Sequence, residues 1–229
     1  MQDMIIAIDG FSSTGKSTLA KLLARKLGYV HIDSGAMYRA ITLYAMQNQM
    51  FQNGEVDVER LLPALDTIEI HFERNPDTGK NEIYLNGNDI ENEIRSMEIS
   101  ENVSRLAKIQ GVRDFAVSLQ RKMGKKKGIV MDGRDIGTVV FPHADLKIFL
   151  NASAEERAKR RYLELIKQGE KVTLQEVIEN INERDRLDTT REIAPLRQAE
   201  DAILVDNGEL TVEQTLERVM EIIRSRELN

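Results

Sequence analysis

Short apolar runs rich in β-branched residues alternate along this chain with segments in which apolar residues recur at helical spacing. Five of the apolar runs predict buried strands, and helical patterns separate most of them. These runs are Met4–Asp9, Tyr29–Ile32, Gly128–Asp132, Leu146–Leu150 and Ala202–Val205. Such alternation is typical of an α/β fold, so we predict a doubly wound, five-stranded parallel sheet of the type found in P-loop NTPases.

Three of the predicted helices have a recognisable start. A hydroxyl residue stands three positions before a Glu or Gln at Ser153, Thr173 and Thr211, which is the spacing of a capping box. We therefore expect a helix to begin directly after each of these residues.

One stretch between the second and third strands breaks this rhythm. Residues 67–73 and 82–86 alternate apolar and polar side chains, Asn75–Gly79 between them is typical of a turn, and a second turn follows at 86–89. The pattern predicts a small antiparallel sheet with one solvated face, inserted at 63–101 into a single domain that spans 1–229. The residues alone leave two interpretations of this insert open. It contributes to the chemistry, or it is a hairpin that has no part in it.

Residues 10 to 17 read Gly-Phe-Ser-Ser-Thr-Gly-Lys-Ser, a complete phosphate-binding loop between a predicted strand and a predicted helix. Its backbone N–H groups and the dipole of the following helix favour a polyphosphate, and a chance match is a poor alternative in this context. We expect Lys16 to reach the β- and γ-phosphates and the Ser17 hydroxyl to ligate Mg²⁺. The expected ATP-binding residues are Gly10, Phe11, Ser12, Ser13, Thr14, Gly15, Lys16, Ser17 and Thr18.

Composition narrows the class of protein. The net charge of −6 argues against nucleic-acid and anionic-membrane partners, so locally gathered Arg and Lys must bind any anionic substrate. The absence of cysteine excludes a disulfide framework and thiolate metal ligands. The three histidines (His31, His71 and His143) show no metal-ligand spacing and are assigned no role. Without a signal pattern or a membrane-length apolar run, we expect a cytoplasmic enzyme.

Two further strand ends should meet the phosphate-binding loop, because ligands bind beyond the carboxyl ends of parallel strands. Arg39 follows the second strand inside an otherwise apolar helix start, where a phosphate partner explains it better than solvent does. Asp132 ends the third strand and is placed to hold the Mg²⁺ shell. Arg134 and Asp135 come next, as site residues or as a surface ion pair in a turn.

Gly133 favours phosphoryl transfer over hydrolysis. ATPases that hydrolyse their nucleotide usually have a Glu after the strand-end Asp to activate water, and this chain has glycine there. The chain also has no Asn-Lys-x-Asp motif of the kind that reads guanine in GTPases. We therefore expect transfer to an acceptor.

Arginines crowd the segment between the last two predicted core strands. Seven of them lie between positions 157 and 197, namely Arg157, Arg160, Arg161, Arg184, Arg186, Arg191 and Arg197. A solvated face with salt bridges is the usual explanation for such spacing. Guanidinium groups also bind phosphoryl oxygens bidentately, and around a transferring phosphoryl group they offset its charge.

Five segments resemble bacterial cytidylate kinases, occur in the family's order and cover essentially the whole chain. They are Gly10–Ser17, Asp33–Arg39, Glu93–Arg95, Asp132–Pro142 and Glu183–Pro195, and the pair Asp-Gly-Arg-Asp-Ile-Gly-Thr-Val-Val-Phe-Pro and Asp-Ser-Gly-Ala-Met-Tyr-Arg is highly specific. The resemblance implies transfer of the γ-phosphoryl group of ATP to CMP or dCMP. It also implies that the insert is the region that binds the nucleoside monophosphate.

The resemblance carries roles to particular residues. It implies that Ser104, Arg113 and Asp135 surround the cytosine with Ser34 nearby, and that Arg184 and Asp188 face the ribose. Arg39, Arg134 and Arg191 would hold the acceptor phosphate, and Tyr38 would also bind the substrate. Residues 155–190 would form a lid over ATP. The implied catalytic set is Lys16, Arg134, Arg157 and Arg191, with Ser17 and Asp132 at Mg²⁺. Many nucleoside monophosphate kinases have Gly in place of Ser17, so the family does not imply direct ligation by this hydroxyl.

Two rival functions stay open on the residues themselves. One is a kinase for another small acceptor, such as shikimate or a different monophosphate. The other is a regulatory module that binds ATP in order to gate a partner. The interpretation that we prefer is a (d)CMP kinase that acts as a monomer. Its ligands are ATP and CMP or dCMP, and we expect no nucleic-acid or membrane partner.

Overall fold

The computed structural model describes residues 3–52, 54–75 and 81–227 and places the secondary structure in three stretches. The first contains β1 (Ile5–Gly10), α1 (Lys16–Leu27), β2 (Val30–Asp33) and α2 (Ser34–Gln47). The middle stretch contains β3 (Phe51–Gln52), β4 (Glu55–Val56), α3 (Val58–Ala64), β5 (Ile70–Arg74), β6 (Asn81–Leu85), β7 (Asn88–Asp89), α4 (Met97–Leu106) and α5 (Gln110–Met123). The last contains β8 (Ile129–Gly133), β9 (Leu146–Asn151), α6 (Ala154–Lys167), α7 (Leu174–Thr190), β10 (Ile203–Asp206) and α8 (Val212–Glu227).

The five predicted core strands form one sheet in the order β10-β9-β1-β8-β2, and every pair in it is parallel. The prediction of a five-stranded parallel sheet is therefore confirmed. Register places Asp9 of β1 beside Gly133 of β8, and Asp33 of β2 beside Asp132 of β8. The carboxyl ends of β1, β8 and β2 consequently lie next to one another at one edge of the sheet.

Helices cover both faces of this sheet, which confirms the doubly wound arrangement. Side chains of β1 alternate between two buried clusters: Ile6 and Ile8 pack with α1 and α8, whereas Ala7 packs with α2 and α5. Continuous burial along β1, β8 and β9 explains why their sequences are apolar runs and not alternating ones. In the part of the chain that the structure describes, no helix is long and apolar enough to cross a membrane.

The inserted antiparallel sheet is also present, in the order β5-β6-β7. Ile70 and Leu85 are paired and buried, whereas the neighbouring pair His71 and Tyr84 stack on the more exposed face with ring centroids 5.3 Å apart. Asn86 and Gly87 both have positive φ, the conformation that a tight two-residue hairpin turn requires. Residues 76–79 of the other predicted turn lie outside the described residues.

The predicted helix starts are confirmed. Ser153 and Thr173 each form a complete capping box with a Glu three residues later, at the starts of α6 and α7. At α8, Gln214 N donates to Thr211 Oγ1 and Thr211 N donates to Gln214 Oε1. The helices α6 and α7 form a hairpin with its own small apolar cluster, and α7 also packs against α4 of the insert.

Candidate active site

The phosphate-binding loop bends tightly at the centre of the sheet edge, between β1 and α1. Gly10 has a φ of 149°, and a Cβ atom there would lie 2.1 Å from the Leu150 carbonyl oxygen of β9. Gly15 and Ser13 also have positive φ, at 90° and 59°. These backbone conformations turn the loop around the amino end of α1, where unpaired N–H groups favour an anion.

Lys16 folds back into this loop. Its Nζ donates to the Phe11 carbonyl oxygen at 2.5 Å and to Thr14 Oγ1 at 3.4 Å, and the side chain is buried. Burial, followed by the nearby Arg134, lowers the pKa of Lys16 well below its usual range. Asp132 and Asp9 offset part of this effect, but the hydrogen bonds of the ammonium group go to neutral oxygens, so the group favours binding of an anion.

The predicted metal ligands Ser17 and Asp132 lie together. Ser17 Oγ donates to Asp132 Oδ2 at 2.7 Å, and His31 Nε2 lies 2.7 Å from Asp132 Oδ1. A carboxylate and a hydroxyl at the mouth of a phosphate-binding loop are hard oxygen donors of the kind that Mg²⁺ prefers. Among the described residues, no group of three or more His, Cys, Asp or Glu side chains forms a metal cage. A Mg²⁺ ion here would therefore complete its shell with phosphate oxygens and water.

The junction of β2 and α2 places Asp33, Ser34 and Arg39 near the same edge. Asp33 caps α2 by accepting a hydrogen bond from Ala36 N, and its other oxygen accepts from Arg39 Nη2 at 2.8 Å. Although burial acts in the opposite direction, Arg39 keeps the pKa of Asp33 below its usual range. Ser34 Oγ donates to the Asp132 carbonyl oxygen at 2.7 Å, which joins the ends of β2 and β8.

The residues that the resemblance assigns to the cytosine line a small cavity of about 50 Å³. Arg113 and Asp135 form a buried ion pair in it, and the Arg113 guanidinium carbon lies 5.7 Å from the centre of the Tyr38 ring. Burial raises the pKa of Asp135 even though Arg113 acts in the opposite direction. Ser34 and Ser104 complete this part of the cavity wall, so the four residues assigned to the cytosine lie together with Tyr38.

A second set of ion pairs crosses from the β8 turn to α7. Arg134 Nε donates to Asp188 Oδ2 at 2.9 Å, and Arg191 has one nitrogen 3.8 Å from Asp135 and another 3.9 Å from Asp188. Arg134 and Asp135 therefore have separate partners and do not form the surface ion pair that the sequence left open. Burial and the neighbouring Arg134 lower the pKa of Arg184 to about 9. Such crowded cations favour binding of an anion.

These elements surround a cavity of about 550 Å³, a size typical of small-ligand sites. Its wall runs from the phosphate-binding loop to the insert and α7, and it includes Arg39, Asp132, Arg134, Arg161 and Arg184. A neighbouring cavity of about 320 Å³ lies on the other side of the loop, against Arg160, Asn207 and the start of α8. The two cavities share Ser13, Gly15 and Thr18, so the loop lies between two spaces.

The sequence matches the family described as cytidylate kinase over residues 6–225. A cytidylate kinase of Bacteroides fragilis is 52% identical over 220 residues, which are 96% of each chain. A cytidylate kinase of Flavobacterium psychrophilum is 52% identical over 225 residues, which are 98% of this chain and 100% of the relative. The chain belongs to the cytidylate kinase family.

This family membership confirms the resemblance that the five segments indicated. Among solved structures, an uncharacterized protein from Eubacterium ventriosum superposes with a TM-score of 0.53 at 13% identity, and the match covers 98% of this chain and 99% of that one. At that identity, the likeness concerns the fold alone.

The arginines between positions 157 and 197 divide into two groups in this member of the cytidylate kinase family. Arg157 lies over the Phe11 ring, donates to the Ser12 carbonyl oxygen and forms a two-point contact with Asp185. Arg160 donates to the carbonyl oxygens of Asn207 and Gly208. By contrast, Arg186 pairs with Glu183 at the surface and Arg197 is exposed. The solvated-face explanation therefore holds for Arg186 and Arg197.

Several residues at the site were not identified from the sequence, among them His31, Asp9 and Ser100. His31 was assigned no role, but it contacts Asp132. Asp9 accepts hydrogen bonds from Ile136 N at 2.8 Å and Gly137 N at 2.7 Å, so it ties the β8 turn to the start of the phosphate-binding loop. Ser100 of α4 contacts Arg184. The one available signal was the position of Asp9, an acidic residue at the end of an apolar strand.

Proposed function

We propose that this protein transfers the γ-phosphoryl group of ATP to CMP or dCMP, giving ADP and CDP or dCDP. The observation that carries the proposal is the meeting of three strand ends around one cavity. The phosphate-binding loop follows β1, Asp132 lies near the end of β8, and α2 with Arg39 follows β2. The donor phosphate and the acceptor phosphate would therefore lie next to each other in this cavity, between residues on its opposite walls.

The donor nucleotide binds along residues 10–18 in this proposal. Backbone N–H groups of the loop and of the first turn of α1 bind the phosphate oxygens, and Lys16 moves from the Phe11 carbonyl to the β- and γ-phosphates. The cavity beside Asn207 and Thr211 is the space for the adenine. Ser17 and Asp132 would hold Mg²⁺, which supplies charge to offset that of the β- and γ-phosphates when bound.

The acceptor binds on the other side of the cavity. Arg113 and Asp135 contact the cytosine together with Ser34, Tyr38 and Ser104, and Arg184 and Asp188 face the ribose. The acceptor phosphate is bound by Arg39, Arg134 and Arg191. In the structure, Arg39 and Arg134 are paired with Asp33 and Asp188, so carboxylates hold these guanidinium groups beside the site until a phosphate replaces them.

No residue is needed as a general base, because the attacking atom is a phosphate oxygen that has already lost its proton. The protein's contribution is to position two polyanions and to offset their charge in a site that excludes water. Lys16, Arg134, Arg157 and Arg191 provide that positive charge. Arg157 takes this role from the lid side, since it already donates to the Ser12 carbonyl oxygen of the phosphate-binding loop.

The boundaries and setting of the enzyme are part of the same proposal. Residues 63–101 act as the region that binds the monophosphate, and residues 155–190 act as the lid over ATP. We propose a monomer in the cytoplasm, where ATP and its acceptor are present. A chain without cysteine has no disulfide that this reducing compartment could break.

The deciding experiment is a coupled assay of ADP release with ATP and Mg²⁺ against CMP, dCMP, UMP, AMP and shikimate. We expect kcat values within the usual enzyme range of about 1–10³ s⁻¹ for CMP or dCMP, and much lower kcat/KM for the other acceptors. Preferred turnover of shikimate or AMP would contradict the acceptor assignment. Tight ATP binding without turnover of any acceptor would favour the regulatory module.

A further inference from the structure

Ser100 is a buried hydroxyl residue where the insert helix α4 meets the lid helix α7. Its Oγ accepts a hydrogen bond from Arg184 Nη1 at 2.9 Å and donates to Asn180 Oδ1 at 3.0 Å. A guanidinium group only donates hydrogen bonds and a hydroxyl has one proton, so this proton is available for Asn180. The Ser100 side chain is therefore fixed by α7 from two positions one helical turn apart.

Arg184 depends on this contact for its direction. Its Nε is shielded from solvent and has no hydrogen-bond partner among the described residues. Asp188 has the carboxylate closest to Arg184 in sequence on the same face of α7. This carboxylate is paired with Arg134. The Ser100 hydroxyl thus accepts a hydrogen bond from a guanidinium group that is crowded by another cation and that has an unused donor.

The position of Ser100 connects it to both parts of the acceptor site. Ser100 and Ser104 are four residues apart in α4 and therefore lie on the same helix face. Ser104 lines the small cavity, Ser100 lines the large one, and Arg184 lines both. Arg184 consequently lies at the junction of the two cavities, with the Ser100 hydroxyl as its support on the insert side.

We propose that Ser100, held by Asn180, is a positioning residue that orients Arg184 toward the acceptor nucleotide and so links acceptor binding to the lid helix. The inference rests on the assignment of Arg184 to the acceptor in the proposed function. The competing explanation is a contact that only holds two helices together. That explanation predicts a loss of stability and no selective change in the kinetics of the acceptor.

The test compares Ser100→Ala, Asn180→Ala, Arg184→Gln and the double variant Ser100→Ala/Arg184→Gln. Removal of a hydrogen bond to a charged group should raise the KM for CMP about tenfold in Ser100→Ala and less in Asn180→Ala. We expect the KM for ATP to change less than twofold and kcat to fall by a smaller factor than the acceptor KM rises. Asn102→Ala, at a half-buried position of the same helix that lines neither cavity, is the matched control and should behave as the wild type.

The double variant separates positioning from packing. Because Ser100 acts through Arg184, Ser100→Ala should add no further rise in the KM for CMP when Arg184 is already Gln. A full additional rise would overturn the proposal, as would equal increases in both KM values. If Arg184→Gln leaves the KM for CMP unchanged, the inference fails, whereas turnover of CMP by the wild type still supports the proposed function. Should Ser100→Ala fail to fold, a normal acceptor KM in Asn180→Ala would contradict the proposal.

Discussion

Arg113 and Asp135 form an ion pair in which the two side chains are only 3% and 6% exposed. Arg113 also donates to the Ala107 carbonyl oxygen and lies against the Tyr38 ring, so its guanidinium has little freedom. A donor and an acceptor are thereby fixed side by side in the wall of the small cavity. Cytosine has a complementary edge, with an amino donor at C4 and an acceptor at N3, whereas uracil has the reverse pattern.

Asp135→Asn should narrow the preference for CMP over UMP. An amide can turn its NH₂ group toward the uracil carbonyl, which a carboxylate repels, while the cytosine contact is weakened. Because sites that hydrogen-bond a substrate group reject analogues by up to roughly 10⁴-fold, we expect the CMP-to-UMP ratio of kcat/KM to fall by about tenfold or more. Steady-state kinetics with both acceptors measure this ratio.

Two checks accompany the Asp135 prediction. The variant leaves Arg113 buried without its charge partner, which costs about 3–5 kcal/mol of stability, so thermal unfolding must show a folded enzyme at the assay temperature. Asp188→Asn is the matched control, because it removes a carboxylate that contacts Arg134 and not Arg113. This control should lower turnover of both acceptors by similar factors. A similar joint loss in Asp135→Asn would remove Asp135 from the base pocket.

Lys16→Met should lower kcat by about three orders of magnitude without a loss of stability. The native state binds the Lys16 proton less tightly than the unfolded chain does, because burial and Arg134 lower the pKa of Lys16. At neutral pH the charged group therefore reduces the free energy of unfolding, and methionine keeps the apolar stem without the charge. Thermal unfolding and the coupled assay measure the two effects.

The control for Lys16 is Lys26→Ala, near the exposed end of the same helix, which should retain the wild-type kcat. Near-normal turnover by a folded Lys16→Met protein would contradict the assignment of the phosphate-binding loop. A fall in the melting temperature would show that the ammonium group stabilises the loop through its bonds to Phe11 and Thr14.

The five strands and the three capped helix starts were predictable because local patterns determine them. The ion-pair partners were not. Arg134 has Asp135 as its neighbour in sequence but pairs with Asp188, 54 residues away. His31 meets Asp132 across 101 residues because β8 lies directly beside β2 in the sheet. The order of the strands in the sheet and the packing of the helices decide which residues meet. Neither can be predicted from a local repeat of apolar residues.

We expect Asp9 to make the free energy of unfolding fall as the pH rises, which is opposite to the usual effect of an aspartate. Burial raises the pKa of Asp9 to about 7, against about 3.9 for an aspartate in an unfolded chain. Between these values, the native state holds a proton that the unfolded chain has lost. The contribution of Asp9 to the free energy of unfolding therefore falls as the pH rises from about 4 to about 7.

The measurement compares urea unfolding of the wild type and Asp9→Asn at pH 5 and pH 8. The wild type should lose stability relative to the variant over this range, since only the wild type titrates at this position. Asp33 and Asp188 titrate in more acidic solution because their pKa values are lowered. Asp135 has a raised pKa but is present in both proteins, so the difference between them reports mainly on Asp9. A constant difference would show that the N–H groups of Ile136 and Gly137 keep the carboxylate ionised.

The lid should become protected from hydrogen exchange in an uneven way when both nucleotides bind. Arg157 and Arg160 already donate to backbone carbonyls of the phosphate-binding loop and of the loop after β10, so the first turns of α6 are held without ligands. The rest of the lid, from residue 161 to 190, includes the exposed connection to α7 and the crowded Arg184. Phosphates supply the anions that these crowded cations lack, and we expect the lid to close when they bind.

We expect amide exchange in 161–190 to slow when an ATP analogue and CMP are both present, more than with either alone, while exchange in 153–160 changes little. Helix α8 is the internal control, because only its start borders a cavity of the site. Equal protection of 161–190 in the free and doubly liganded protein would rule out closure of this segment.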